Sequence, residues 1–238
     1  APTFDSIEEV AAKSDAIMIL SVDGRVHREQ FEAVAKSGLP VYIDKPLCVS
    51  SADAEQMQAV AQSSGSRLFS SSVWRFSRGL NESLSELGEG CSHAHLQGQW
   101  PLEDGLHGWF YYGIHQVEML CAAMGPGCQH VSCAQNGSSE VITGFWTDGR
   151  VGTIATNHDE RRPFSGWLLG AEKQVLIEVK DTKYDRYQTF LASTLKFFNG
   201  GSSPVSLSET LETIAFMEAA DKSAKQGGST VVINPHAL

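Results

Sequence analysis

Lys45 is a residue whose type and position suit acid–base chemistry. It lies in the segment Asp44-Lys45-Pro46, directly after the short apolar run at 40–43. Pro46 restricts Lys45 to an extended conformation, which directs the ammonium group out of the end of a strand, where open parallel sheets bind their ligands. Partial desolvation there would lower the pKa of the lysine toward a useful range. The alternative for Lys45 is an ordinary surface lysine in a turn.

His115 is the second such residue. It lies in the segment 109–118, which is aromatic at first and then becomes helical. The helix dipole disfavours a cation near a helix start, so a neutral imidazole there can take up or release a proton near pH 7. Glu118, three residues later, shares roughly the same helix face and could orient the ring. The alternative for His115 is a structural histidine.

The elements that must position these two side chains change character along the chain. Through about residue 75, short apolar strands alternate with helices, which is typical of a parallel sheet with helices on its faces. After that, strand-like segments with hairpin turns at 136–137 and 148–149 predict an antiparallel sheet. We place a domain boundary near Ser72, which gives domains over 1–72 and 73–238. The predicted strands are 15–20, 40–43, 67–70, 91–100, 129–136, 139–147, 150–158, 164–170 and 173–179, and the predicted helices are 6–13, 27–37, 51–64, 76–87, 112–124, 184–198 and 206–226.

Composition argues against several classes of function. The 238 residues carry 18 basic and 28 acidic side chains, a net charge of −10, which disfavours sequence-independent nucleic-acid binding and polybasic membrane contact. No apolar run approaches the ~20 residues of a transmembrane helix. The five cysteines form no Cys-x-x-Cys pair, and His93 and His95 have no evident third partner, so we expect no metal site. We expect a reducing, cytoplasmic compartment.

Five segments, taken in order, resemble the glucose–fructose oxidoreductase and inositol dehydrogenase family (Gfo/Idh/MocA) of NAD(P)-dependent oxidoreductases. They are DAIMILSVDGRVH (15–27), VYIDKPL (41–47), YGIHQVEML (112–120), TGFWTDGRVGTI (143–154) and FFNGGSSPVSLSETLETIAFMEAADKS (197–223). The resemblance runs from about residue 4 to residue 233. It implies an α/β plus α+β fold, in which the C-terminal half of a Rossmann-type parallel sheet is followed by an open, mainly antiparallel sheet with helices on one face.

The resemblance also implies roles for individual residues. His115 would take the hydroxyl proton of the substrate as hydride leaves for the nicotinamide, and Lys45 would polarise the substrate oxygen. The implied cofactor is NAD or NADP, the implied substrate is a sugar, polyol or related hydroxy compound, and the implied assembly is a homodimer or homotetramer. The residues implied at the cofactor are Ser21, Val22, Asp23, His27, Asp44, Lys45 and Pro46, and those implied at the substrate are Arg75, Tyr111, Tyr112 and His115.

The sequence departs from the family pattern in two places. Tyr111 stands where many members carry an aspartate. A phenol can hydrogen-bond a substrate as a carboxylate does, but it carries no charge at pH 7. The Gly-x-Gly-x-x-Gly turn that binds the pyrophosphate is not found in the sequence, and the resemblance implies that roughly 60 residues, about two βα units, are absent. The first strand would then present an open edge. We expect this chain to be poorly soluble or to pair edge to edge.

Two other functions remain open. Some relatives use NAD transiently to cleave a glycosidic bond, and Tyr111 leaves room for that chemistry; accumulation of NADH would separate a dehydrogenase from such an enzyme. A non-catalytic sugar-binding protein on the same fold would tolerate the loss of the glycine-rich turn. Lys45 and His115 together argue against that second alternative, because a protein that only binds has no need for the pair.

Overall fold

A computed structural model describes residues 2–100, 108–160, 162–180 and 182–233. Two sheets follow one another along the chain, each covered by helices. The first part comprises α1 (Ile7–Ala12), β1 (Ile17–Ile19), α2 (His27–Ala35), β2 (Val41–Ile43), α3 (Ser51–Ser64) and β3 (Leu68–Ser70). The second part comprises α4 (Arg78–Leu87), β4 (His93–Gln99), α5 (Ile114–Met124), β5 (Cys128–Asn136), β6 (Ser139–Trp146), β7 (Val151–Asn157), β8 (Ser165–Leu169), β9 (Gln174–Glu178), α6 (Lys183–Phe198), α7 (Leu207–Lys225) and β10 (Val231–Val232).

The first sheet is parallel and has the order β1-β2-β3. All three residues of β2 and of β3 are buried, as expected for strands covered on both faces. Strand β1 forms one edge of this sheet, and Met18, Leu20 and Val22 in and after it are exposed. Because parallel strands end at the same edge of a sheet, the turns after β1 and β2 lie side by side.

The second sheet has the order β10-β5-β6-β7-β4-β8-β9. Its strand pairs are antiparallel except β4 with β7, which are parallel. Burial alternates along β6 and β7, since α5 and α7 pack against one face and leave the other more open. The predicted α/β plus α+β fold is confirmed.

Helices α6 and α7 return to the first sheet and so join the two parts. Helix α7 is buried along most of its length, and the Thr210 hydroxyl donates to the Ser70 carbonyl, 3.4 Å away. Helix α6 packs through Phe190 and Phe197 against Tyr42 and Phe69, with ring centroids 4.8–5.0 Å apart. This packing brings the start of α6 to the end of the parallel strands.

The structure departs from the predicted elements at a few points. The predicted strand over 15–20 is shorter, and β10 was not predicted, because two residues carry no periodic signal. The predicted helix over 112–124 starts at Ile114, preceded by a wide π-type turn at Trp109–Gly113. Within the described residues, no helix is long and apolar enough to cross a membrane.

Gly113 is needed where the π-type turn joins α5. A Cβ atom placed there would lie 2.1 Å from Cζ2 of Trp100, whose ring is fully buried and packs at right angles on Trp109. We therefore expect Gly113→Ala to lower the free energy of unfolding by about 1–3 kcal/mol through overpacking. Urea denaturation followed by tryptophan fluorescence measures this, and an unchanged midpoint would contradict the account of the turn.

Candidate active site

A cleft of about 550 Å³ opens at the carboxyl end of the parallel sheet. We call it the Lys45–His115 cleft, because both side chains line it. It is mostly apolar, with a few charged groups, as is usual for a small-molecule site. Its lining consists of Met18, Leu20, Tyr42, Asp44, Lys45, Val73, Trp74, His115, Lys183, Arg186, Tyr187, Phe190 and Leu191. Lys45 and His115, which the sequence analysis identified separately, thus line the same cleft.

Lys45 reaches the cleft from the turn after β2, where its peptide bond to Pro46 is cis. Its ammonium Nζ donates to the Tyr111 carbonyl at 2.7 Å and lies 4.9 Å from the centre of the Tyr111 ring. Burial lowers the pKa of Lys45, and the nearby Asp44 carboxylate opposes that shift. The hydrogen bond to Tyr111 uses one of the three N–H groups of the ammonium, so donors remain for a substrate oxygen.

His115 enters the same cleft from the first turn of α5. Its Nδ1 lies 2.7 Å from the Ser72 hydroxyl, and its Nε2 makes no hydrogen bond to the described residues. Burial, followed by the positive charges of Lys45 and Arg186, holds the pKa of His115 well below its ordinary value. The imidazole is therefore neutral at pH 7 and can accept a proton. Burial and two cations thus lower this pKa, rather than the helix dipole invoked from the sequence.

Glu118 does not orient His115, contrary to the sequence-based expectation. Its Oε2 accepts a hydrogen bond from Nε of Arg75 at 2.7 Å and one from the Ser71 hydroxyl at 3.4 Å. The other side of Arg75 bonds Glu209 at 2.6 Å. Arg75, expected at the substrate, is instead committed to two carboxylates, and its side chain is only 13% exposed. The group that holds the His115 ring is Ser72.

The turn after β1 carries four residues expected at the cofactor. His27 is fully buried, with Nδ1 and Nε2 each 2.8 Å from a carbonyl oxygen, those of Pro46 and Ser21. The ring ties the turns after β1 and β2 together, with both nitrogens on carbonyl groups of the protein, and a role for His27 at the cofactor stays a prediction. Gly24 allows the two turns to approach closely, since a Cβ atom there would lie 2.8 Å from Cγ of Pro46.

Val22 and Asp23 remain accessible at this turn. They line a neighbouring cleft of about 320 Å³ together with Arg25, Phe110 and Tyr111. Asp23 bonds the guanidinium of Arg25 at 2.6–2.9 Å, and that interaction lowers the pKa of the carboxyl. Because Tyr111 lines this second cleft and bonds Lys45 in the first, the two clefts adjoin at the Lys45–Tyr111 contact.

The two tyrosines expected at the substrate contribute differently. The backbone carbonyl of Tyr111 accepts a hydrogen bond from Lys45. The side chain of Tyr111 does not line the Lys45–His115 cleft. The ring of Tyr112 packs edge-on against His115, with centroids 4.9 Å apart, and its hydroxyl accepts from the Gln99 amide at 3.0 Å. Tyr112 therefore restricts the rotation of the histidine ring.

Sequence reasoning missed four residues of the site: Ser72, Trp74, Lys183 and Arg186. Ser72 had a usable signal, because it follows the third parallel strand and so lies at the same edge of the sheet as the turns after β1 and β2. Trp74 lies in the next turn. Lys183 and Arg186 had no such signal, since tertiary packing of α6 alone brings them to the cleft.

Removal of the Ser72 hydroxyl tests its role in positioning His115. Ser72 Oγ also accepts from the Trp74 backbone N–H at 3.1 Å, so its position is fixed before it meets the ring. We expect Ser72→Ala to lower kcat about 2- to 10-fold, the worth of one neutral hydrogen bond, and Ser72→Thr to restore part of it. Nitrogen NMR of the ring should show a changed tautomer balance.

Ser71→Ala is the control for this variant, because Ser71 is equally buried but bonds Glu118 rather than His115. If Ser72→Ala left both the ring nitrogen shifts and kcat unchanged, Ser72 would have no part in positioning the histidine.

Comparison with known proteins shows what this chain is similar to. Residues 1–72 match the model of the Gfo/Idh/MocA oxidoreductase family, described as an NAD-binding Rossmann fold. The described part of the chain as a whole shares its fold with dehydrogenases of solved structure.

A probable dehydrogenase from Thermotoga maritima superimposes with a TM-score of 0.84 at 18% identity, over 97% of this chain and 84% of that one. A myo-inositol dehydrogenase from Lactobacillus casei, in complex with NAD(H) and myo-inositol, superimposes with a TM-score of 0.82 at 13% identity, over 98% and 82% of the two chains.

One curated relative is 26% identical over an alignment of 164 positions, and the match covers 61% of this chain. It comes from Amycolatopsis mediterranei (strain S699) and carries the provisional name UDP-kanosamine synthase oxidoreductase subunit. The match spans 44% of the length of that relative.

Proposed function

We propose that this protein is an NAD(P)-dependent oxidoreductase that exchanges hydride between the nicotinamide and a sugar, polyol or related hydroxy compound. The observation that carries the proposal is the meeting of Lys45 and a neutral His115 in one cleft at the end of a parallel sheet. The match of residues 1–72 to an NAD-binding oxidoreductase family supports it, as does a similarly folded dehydrogenase that holds NAD(H).

The residues around the Lys45–Tyr111 contact fit the nicotinamide end of such a cofactor. They offer an open turn at Val22 and Asp23, the carboxylate of Asp44 and the ammonium of Lys45 beside a cleft large enough for a small ring. When bound, a nicotinamide cofactor accepts or supplies the hydride. We propose residues 1–72 as the cofactor side of the protein and residues 73–238 as the side that binds substrate and carries the oligomer contact.

The side chains then divide the remaining chemistry. Lys45 donates a hydrogen bond to the reacting oxygen of the substrate and stabilises negative charge that develops there. His115 accepts the hydroxyl proton at Nε2 during oxidation and returns it during reduction. Ser72 and Tyr112 hold the imidazole ring in place for both directions.

Turnover with defined substrates tests this proposal. The chain is incubated with NAD or NADP and a panel of sugars and polyols, and reduced cofactor is followed by absorbance while products are separated by chromatography. A dehydrogenase accumulates reduced cofactor in step with product. An enzyme that uses NAD transiently to cleave a glycosidic bond forms product without that accumulation, and cofactor-independent sugar binding alone would contradict both.

A further inference from the structure

We propose that the aromatic ring of Tyr111 is a positioning group for Lys45, which keeps the lysine charged and holds its ammonium at the wall of the Lys45–His115 cleft. The reaction step that Lys45 serves rests on the proposed function. The contact between the ring and the ammonium is a feature of the structure, and its effect on the charge of Lys45 can be measured without any turnover.

Tyr111 contacts the Lys45 ammonium twice. Its backbone carbonyl accepts a hydrogen bond from Nζ at 2.7 Å, and the same atom lies over the ring, 4.9 Å from its centre. The face of an aromatic ring carries partial negative charge, so it attracts a cation within about 6 Å of its centre. Any residue at position 111 offers the backbone carbonyl, but only an aromatic one offers the ring. Substitution of this one residue therefore separates the two contacts.

The charged groups around Lys45 do little to favour its charged form. Burial lowers the pKa of the lysine, and the Asp44 carboxylate opposes that shift. The other charged residues that line the cleft, Lys183 and Arg186, are cations, and His115 is neutral. A ring face adds negative potential beside the ammonium without adding a second charge that would itself have to be desolvated.

The two tyrosines that line the cleft have other partners. The Tyr42 hydroxyl donates to Asp44 at 3.0 Å, and burial, together with the Asp44 charge, raises the pKa of Tyr42 well above its ordinary value. Its phenol therefore stays neutral and supplies no charge to Lys45. The ring of Tyr187 lies beside a different ammonium, with Nζ of Lys183 5.5 Å from its centre.

The rest of the Tyr111 side chain allows a clean test of the ring. Its hydroxyl makes no hydrogen bond to the described residues, so Tyr111→Phe removes a group without removing a partner. Tyr111→Leu keeps an apolar side chain and removes the ring face. Tyr111 also lines the neighbouring cleft, which Lys45 does not line and whose charged residues are Asp23, Arg25, Glu218, Asp221 and Lys225.

Competitive acetylation with acetic anhydride measures the charge of Lys45 directly. The wild type and the variants are labelled between about pH 7 and pH 11, and the peptides that carry Lys45 and Lys36 are quantified by mass spectrometry. Only the uncharged amine reacts, so the midpoint of the labelling curve follows the pKa of the lysine, whereas a change in access alters only the plateau. Lys36, at the exposed end of α2, is the internal reference.

We expect Tyr111→Leu to move the midpoint for Lys45 to lower pH, because loss of the ring leaves the buried ammonium less stabilised. At neutral pH, labelling of Lys45 relative to Lys36 should rise about three- to tenfold. Tyr111→Phe should match the wild type. Tyr187→Leu is the control for the Lys45 midpoint, because its ring lines the same cleft but lies beside Lys183.

A fluorinated ring keeps the test valid if Tyr111→Leu fails to fold. Trifluorophenylalanine, inserted at position 111 through a reassigned stop codon, has nearly the shape of phenylalanine but little negative charge on its face. Its Lys45 midpoint should move in the same direction as in the leucine variant. A side chain that only fills space would not respond to the fluorine atoms.

An unchanged Lys45 midpoint in Tyr111→Leu or in the fluorinated variant overturns the inference, as does a Tyr111→Phe midpoint that moves as far as that of Tyr111→Leu. The role of the ring and the proposed function fail separately. A shifted midpoint in a protein that neither binds NADH nor oxidises a hydroxy compound refutes only the oxidoreductase. Turnover of a hydroxy compound by variants whose midpoint does not move refutes only the role of the ring.

Discussion

Replacing His115 by asparagine is expected to lower kcat about 10²- to 10⁴-fold, the usual contribution of a general acid–base group. Asparagine keeps a polar side chain beside Ser72, so the fold should persist while the proton acceptor is lost. The measurement is steady-state turnover of a hydroxy substrate with NAD, with the thermal midpoint recorded on the same samples. His130→Asn, on β5 and outside the Lys45–His115 cleft, is the control and should match the wild type.

The pH dependence of turnover gives an independent check on His115. Its pKa lies well below the ordinary value because of burial and the charges of Lys45 and Arg186. Oxidation requires the neutral ring, so kcat/KM should be level from about pH 6.5 upward through neutrality and fall only at lower pH. An acid limb centred above pH 7 would show that another group accepts the proton.

Arg75→Met is expected to lower the free energy of unfolding by about 3–5 kcal/mol, because it leaves the buried Glu118 carboxylate without its cation. The side chains of Glu118 and Glu209 are 3% and 23% exposed. Burial raises the pKa of Glu118, and the charge of Arg75 opposes that shift. Removing the arginine therefore removes what keeps this carboxylate ionised inside the protein.

Calorimetric melting measures the loss, which corresponds to a fall of about 6–20 °C in Tm for a chain of this size. Arg78→Met is the control, since its ion pair is exposed on both sides and should cost under about 1 kcal/mol. Adding Glu118→Gln to Arg75→Met should recover part of the stability, because it removes the uncompensated charge. A single variant as stable as the wild type would contradict the account of this cluster.

The elements of this fold were predictable from the sequence because its apolar periodicities are strong. The alternation of helices with three short apolar strands predicted the parallel sheet, and the Asn136-Gly137 turn marked the hairpin of β5 and β6. Lys45 and His115 were predictable as candidates because one follows a buried strand and the other begins a helix. Their catalytic roles stay predictions.

The surroundings of the two residues were not predictable, because they depend on contacts between distant segments. The spacing of Glu118 and His115 on one helix predicted a contact between them. The Glu118 carboxylate instead accepts a hydrogen bond from Arg75, which lies on another element. The resemblance implied that His27 lies at the cofactor, but it gave no sign that the ring would be buried between two carbonyl groups of the protein. Arg186 reaches the cleft only because aromatic packing places α6 over the parallel sheet.

Titration of NADH into the protein tests the central claim most directly, with energy transfer from tryptophan to the nicotinamide as the signal, since Trp74 lines the Lys45–His115 cleft. The account expects saturable binding by the wild type, binding weakened at least about tenfold by Lys45→Met, and no change in Lys36→Met, whose side chain lies at the exposed end of α2. Absence of saturable binding by a protein that melts cooperatively, or equal binding by the Lys45→Met variant, would contradict the assignment of this cleft to hydride transfer.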